Sequence, residues 1–133
     1  MKPFETYLPT KLIFGAGEIV RLGEAAKAFG DKALVVTTGD DMKKFGILDK
    51  ALDSLRKAGV SGVVFSNVEA NPKTYNVDEG VKAYLENGCQ MAIGLGGGSA
   101  MDAAKAIAMV TKNGGSVMDY MPGSPRAGEL LTQ

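Results

Sequence analysis

A run of three glycines at positions 96–98 constrains this chain more than any other feature. The run follows a short apolar segment, residues 90–95, which is typical of a buried strand. It precedes a segment whose apolar residues recur at helical spacing. Ser99 is predicted to be the N-cap of that helix, and Asp102 completes a capping-box pattern. The stretch therefore predicts a strand, a tight glycine turn and a helix.

A turn without side chains that leads into a helix can bind an anion, because free N–H groups and the positive end of the helix dipole converge there. We interpret the turn as a phosphate site, most simply for the pyrophosphate of a dinucleotide. The alternative is a turn whose glycines only provide positive φ. The turn does not fit the G-x-G-x-x-G fingerprint, because Met101 stands where the third glycine would be, and the chain has no P-loop motif.

Strand and helix candidates alternate along the chain. Such alternation predicts right-handed β-α-β units, and hence an α/β fold with a Rossmann-like, doubly wound, mainly parallel sheet. We predict one domain over residues 1–133, with a loosely structured tail after about Tyr120. The strand candidates are residues 4–8, 11–14, 32–38, 62–66 and 90–95. The helix candidates are residues 18–29, 47–58 and 74–87, the helix after the glycine turn, and a short helix capped by Ser116. The helical spacing of apolar residues places Phe29 and Leu85 on the inward faces of their helices.

The composition excludes several classes of protein. Fifteen basic residues balance fifteen acidic ones, so nothing indicates binding to nucleic acid or to an anionic membrane surface. We expect neither export nor membrane spanning, and the single Cys89 fits a cytoplasmic location and an inert, buried thiol. The chain has no histidine, which is the commonest general base and transition-metal ligand. We therefore predict no catalytic residue and no metal ligand in it.

Two further segments follow strand candidates and would lie at the carboxyl edge of the sheet, where ligands bind in such folds. Thr38 and Gly39 follow the strand at residues 32–38, in a position that often meets the adenosine ribose. Asn71 precedes a proline in the loop after the next strand. A ligand role and an ordinary turn both remain open for these residues. Lys105 could be solvated, paired with Asp102 or near a ligand.

The residues assembled here resemble the iron-containing (group III) alcohol dehydrogenases. The resemblance covers most of the chain. It includes the P-T-K and F-G-A-G segments at residues 9–17 and the F-G-I-L segment at residues 45–48. Its most specific part is the G-G-G-S-x-x-D-x-x-K string at residues 96–105, with Asn-Pro about twenty-five residues upstream.

The resemblance implies the N-terminal cofactor-binding domain of an NAD(P)-dependent oxidoreductase that acts on alcohols or aldehydes. Gly97, Gly98 and Ser99 would contact the pyrophosphate, Asn71 would line the cleft, and Asp102 would lie near the cofactor. Thr38 stands where NAD-preferring relatives often carry aspartate, and Gly39 resembles the turn of NADP users. NADP is therefore allowed beside NAD, although Asp40 and Asp41 follow directly.

The family holds Fe²⁺ or another divalent metal through one aspartate and three histidines in a helical C-terminal domain that this sequence lacks. The resemblance thus implies a domain that binds the cofactor, binds no metal and is inactive alone. It leaves open a homo-oligomer and gives no alcohol substrate. The alternative hypothesis is a non-catalytic module that binds a nucleotide or phosphate, or that pairs with another chain.

Overall fold

A three-stranded parallel sheet forms the centre of the computed structural model, which describes residues 3, 6–7 and 9–129. The strands are β1 (Lys32–Val36), β2 (Ser61–Phe65) and β3 (Met91–Gly94). β1 lies in the middle, in the order β2-β1-β3, and Val36 pairs with Phe65 on one side and with Gly94 on the other. Because the strands are parallel, their carboxyl ends meet at one edge of the sheet.

Helices cover both faces of this sheet. They are α1 (Leu22–Lys27), α2 (Asp41–Lys44), α3 (Ile47–Lys57), α4 (Thr74–Glu86) and α5 (Gly98–Asn113), with short 3₁₀ helices at Glu18–Arg21 and Val117–Tyr120. Leu34 and Val36 pack against α4 and α5, whereas Ala33 and Val35 pack against α1 and α3. This alternation is what a strand buried on both faces requires. The predicted doubly wound parallel fold is therefore confirmed.

Helix α5 lies directly on β3, and a glycine makes this approach possible. A Cβ atom at Gly94 would lie 2.8 Å from the Cα of Met101 and 3.0 Å from the carbonyl oxygen of Ala100. Real Cβ atoms do not come so close to backbone, so any larger residue would push α5 off the sheet. Gly94 thus fixes the position of the α5 N-terminus relative to the end of β3.

Several predicted elements differ in the structure. Residues 11–14 form no strand, because no strand of the described residues pairs with them, and the candidate at residues 4–8 falls largely outside the described residues. The helix predicted over residues 18–29 is a 3₁₀ turn followed by the shorter α1. Phe29 lies beyond its end and is 72% exposed, and Leu85 is 61% exposed, so the prediction that both face inward was wrong. Ser116 does cap the short helix that follows it.

A groove with a volume of about 1050 Å³ runs along β3, between α1 and α5. Apolar residues of α1, α5 and β3 line much of it, and none of the predicted binding residues does. No helix among the described residues has both the length and the apolar character that crossing a membrane requires.

Candidate functional site

Helix α5 begins two residues earlier than it would if Ser99 were its N-cap. Gly97 is the N-cap, with an extended backbone (φ −81°, ψ −167°), and Gly98 is the first helical residue. Met101 N–H donates to the Gly97 carbonyl over 3.2 Å, which closes the first turn. Ser99 therefore lies inside the helix, and the predicted Ser99–Asp102 capping box was wrong. No side chain of the described residues caps this helix, so the N–H groups of its first turn stay available.

The three glycines of the turn differ in why they are glycine. Gly96 has φ +140°, which residues with a side chain rarely adopt. Gly97 and Gly98 have backbones that any residue could take, and a Cβ atom on either would meet no atom within 4 Å. The fold therefore requires glycine at position 96 only. The open space beside Gly97 and Gly98 lies directly at the uncapped N-terminus of α5.

Asn71 contacts the start of α5 from the loop that precedes α4. Its N–H donates to the hydroxyl oxygen of Ser99 over 3.3 Å, although the two residues are 28 positions apart. Asn71 has φ +57°, the only positive φ of a non-glycine residue in the described part of the chain. Asparagine tolerates this conformation better than most residues. The structure thus brings Asn71 and Ser99 together at the carboxyl edge of the sheet.

Thr38 and Gly39 lie at the same edge, after the end of β1. Thr38 forms an antiparallel bridge with Asn67, and Gly39 N–H donates to the Ser66 carbonyl over 3.2 Å. These contacts hold the end of β1 against the loop that also carries Asn71. The neighbouring Thr37 is 1% exposed, and its hydroxyl has no hydrogen-bond partner among the described residues. No sequence pattern distinguishes Thr37 from the two residues that follow it.

Asp102 and Lys105 pair with each other on the surface of α5. Lys105 Nζ lies 3.5 Å from Asp102 Oδ1, and the two side chains are 78% and 71% exposed. An ion pair so open to water contributes little to stability. Asp102 makes no capping contact, and it lies one helical turn beyond Ser99.

Sequence reasoning missed Asn76, whose side chain is 1% exposed at the start of α4. Its amide nitrogen donates to the Asn67 carbonyl over 2.9 Å, and its amide oxygen accepts from Lys73 N–H over 2.9 Å. In a capping box, a polar side chain at the third helical position accepts from the N–H of the N-cap residue, as Asn76 does here from Lys73. That position is the one signal in the sequence that could have pointed to Asn76.

Neither the thiol nor the acidic residues form a reactive centre. Cys89 is buried among the side chains that pack between the sheet and α4 and α5, and burial raises the pKa of its thiol. A thiol that stays protonated is a poor nucleophile, as expected for a structural cysteine. Within the described residues, no group of three or more His, Cys, Asp or Glu side chains could hold a metal ion.

A family model described as "Iron-containing alcohol dehydrogenase" matches residues 9–132. The chain belongs to this family. A curated relative, the NADH-dependent butanol dehydrogenase B of Clostridium acetobutylicum, is 40% identical over 121 residues. The 1,3-propanediol dehydrogenase of Citrobacter freundii is 34% identical over 119 residues. These matches cover 91% and 88% of this chain but only 31% of each relative.

Solved structures of iron-containing alcohol dehydrogenases give the same picture. An archaeal halo-thermophilic alcohol dehydrogenase from a Red Sea brine pool is 43% identical, with a TM-score of 0.91, over 99% of this chain and 34% of that one. The NADH-dependent butanol dehydrogenase A of Thermotoga maritima is 36% identical, with a TM-score of 0.89, over 98% and 33%. The chain therefore spans about a third of these relatives, and its fold is that of their Rossmann-like N-terminal domain.

Proposed function

We propose that this chain is the NAD(P)-binding part of a metal-dependent alcohol dehydrogenase and holds the cofactor pyrophosphate at the glycine turn. The observation that supports this most directly is the open space beside Gly97 and Gly98. Neither residue needs to be glycine for the fold, and both lie at the uncapped N-terminus of α5. A phosphate that approaches the backbone closely would explain both glycines.

In this proposal, each part of the carboxyl edge contacts a different part of the cofactor. The N–H groups of Gly98 and Ser99 donate to pyrophosphate oxygens, and the α5 dipole favours their negative charge. The Asn71 side chain lines the cleft beside them. Thr38 and Gly39 face the adenosine ribose, and Asp102 lies near the cofactor on the next turn of α5. The bound dinucleotide would supply a hydride acceptor for alcohol oxidation.

The metal of the family does not fit the residues of this chain. The chain has no histidine, and its described residues contain no cluster of ligands. We therefore propose that this chain alone does not oxidise alcohols, even with added Fe²⁺ or Zn²⁺. The relatives are named for substrates as different as butanol, 1,3-propanediol and choline, so the alcohol would be selected by parts of the protein outside this third.

Titration with NADH and NADPH tests the proposal. We expect the purified chain to bind at least one of them, detected by nucleotide fluorescence or by calorimetry, in the micromolar to millimolar range. Binding should raise the thermal midpoint with nucleotide concentration, because the ligand favours the folded state. A chain that is folded by circular dichroism but binds neither nucleotide at millimolar concentration would contradict the proposal.

Replacing Thr38 with aspartate should shift the preference between the two cofactors toward NADH. A carboxylate would accept a hydrogen bond from the ribose 2′-hydroxyl and would repel the 2′-phosphate of NADPH. We expect the ratio of the two dissociation constants to change by about tenfold or more, which corresponds to about 1.4 kcal/mol.

Ser61→Asp is the matched control for Thr38→Asp. It adds the same charge at the amino end of β2, the opposite edge of the sheet, on an exposed residue. The control should leave the ratio unchanged. An unchanged ratio in Thr38→Asp itself would show that this residue does not face the ribose.

A further inference from the structure

The loop between β2 and α4 is held at both ends by one side chain. Asn76 donates its amide N–H to the Asn67 carbonyl over 2.9 Å and accepts from Lys73 N–H over 2.9 Å. Asn67 lies near the start of the loop, and Lys73 is the N-cap of α4, so the two bonds link the segment that contains Asn71 to the first turn of the helix. The Asn76 side chain is buried, so water does not replace either bond readily.

The held loop includes the strained residue of the site. Asn71 keeps φ +57° and donates its N–H to Ser99 Oγ over 3.3 Å. A left-handed backbone costs free energy in any residue with a side chain, and it persists only where the surroundings fix it. The Ser99 contact is long for a hydrogen bond and lies on an exposed surface, so it is too weak to fix Asn71 by itself.

The Lys73 side chain cannot supply the acceptor that Asn76 supplies. Its ammonium group is a donor without any acceptor, so it cannot accept from the free N–H groups of the first turn of α4. Among the described residues, no other side chain donates a hydrogen bond to the Asn67 carbonyl. Asn67 also forms an antiparallel bridge with Thr38, two residues after the end of β1, so the same anchor lies next to Thr38.

We propose that Asn76 is a positioning residue of the cofactor site: its buried amide holds the 67–73 loop so that Asn71 meets the first turn of α5. The inference rests on the proposed cofactor site, since it states what keeps one wall of that site in place. Asn76 itself is buried, so a cofactor at the surface of the cleft would not contact its side chain. It acts through the position of the loop that carries Asn71.

The test is Asn76→Asp, which keeps the shape and the acceptor of the side chain and removes the N–H that reaches Asn67. The matched control is Asn87→Asp at the other end of α4, where the amide nitrogen donates to the Ala83 carbonyl over 2.8 Å. Both variants lose one donor to one carbonyl on the same helix. If Asn76→Asp does not fold, Asn76→Ser carries the same comparison, because its hydroxyl can accept from Lys73 N–H and is too short to reach Asn67.

Two measurements, NMR amide signals and NADH affinity, test whether Asn76 positions the loop. In the cofactor-free chain, we expect the NMR amide signals of Asn71 and Ser99 to shift and the Asn71 N–H to exchange faster in Asn76→Asp but not in Asn87→Asp. We also expect NADH affinity to fall by up to about tenfold in Asn76→Asp only, because binding must then order the loop. A merely structural asparagine would lower the thermal midpoint and move neither readout.

The outcomes separate this inference from the proposed function. Unchanged Asn71 and Ser99 signals in a folded Asn76 variant would overturn the positioning role, and so would equal changes in the control. If the parent chain binds no nucleotide, the proposed function fails, while the amide signals still decide whether Asn76 holds the loop.

Discussion

Replacing Gly97 with valine should abolish dinucleotide binding and leave the fold intact. Gly97 has an extended backbone that valine adopts readily, and its Cβ would meet no protein atom within 4 Å. The free energy of unfolding should fall by no more than about 1 kcal/mol, because valine is a poorer N-cap than glycine but meets no steric clash here. The added methyl groups would fill the space beside the α5 N-terminus, so NADH affinity should fall by about a hundredfold or more, about 2.7 kcal/mol. Urea denaturation and NADH titration measure the two effects separately.

Ala28→Val is a suitable control for Gly97→Val, because it adds a valine to an exposed residue after α1, at the amino edge of the sheet. It should change neither quantity appreciably. Unchanged NADH affinity in Gly97→Val would place the pyrophosphate elsewhere. A large loss of stability would instead mean that the open space beside Gly97 is filled by protein.

Replacing Gly94 with alanine should destabilise the chain by about 1–3 kcal/mol, as overpacking in a close-packed interior typically does. The new Cβ would lie 2.8 Å from the Met101 Cα atom, and backbone cannot move aside as a flexible side chain can. Helix α5 would have to shift relative to β3, which would also displace the N–H groups of its first turn. We therefore expect lower stability and weaker NADH binding together, measured by urea denaturation and titration.

Replacing Gly98 with alanine, four residues after Gly94, should raise the stability of the fold instead of lowering it. Gly98 is the first residue of α5, and a Cβ there meets nothing within 4 Å. Gly98→Ala should stabilise the fold by about 0.4–1 kcal/mol, since alanine restricts the unfolded chain. Gly98→Ala thus serves as the matched control for Gly94→Ala. Equal stability changes in the two variants would show that α5 does not approach β3 as closely as the structure has it.

The sequence predicted the layered fold well because long periodic segments carry strong signals. The apolar run before Thr38 is covered on both faces, and the spacing of Leu48, Ala51 and Leu55 does identify the buried side of α3. Periodicity fails near helix ends, where one residue decides whether a side chain reaches the core. Phe29 lies just past α1 and Leu85 lies on the last turn of α4, and both face solvent.

The details of the site were harder to predict, because they depend on contacts between distant segments. Serine is a strong N-cap, yet Gly97 takes this place and Ser99 lies inside the helix. Nothing in the local sequence of Asn71 indicates a partner 28 residues away. The role of Asn76 also depends on a contact that the local sequence does not show, since its amide reaches the Asn67 carbonyl at the other end of the loop. That the site residues bind a cofactor stays a prediction.

The order of the strands also determines when the candidate site can exist. β1 is the central strand, yet it precedes both of its partners in the chain. During translation, β1 can pair with β2 once the first crossover is made, but its other side stays open until β3 has left the ribosome. The glycine turn and α5 follow β3 and are therefore completed after all three strands of the sheet. A nucleotide in the cell cannot guide the early assembly of such a domain; it can only stabilise a sheet that has already formed.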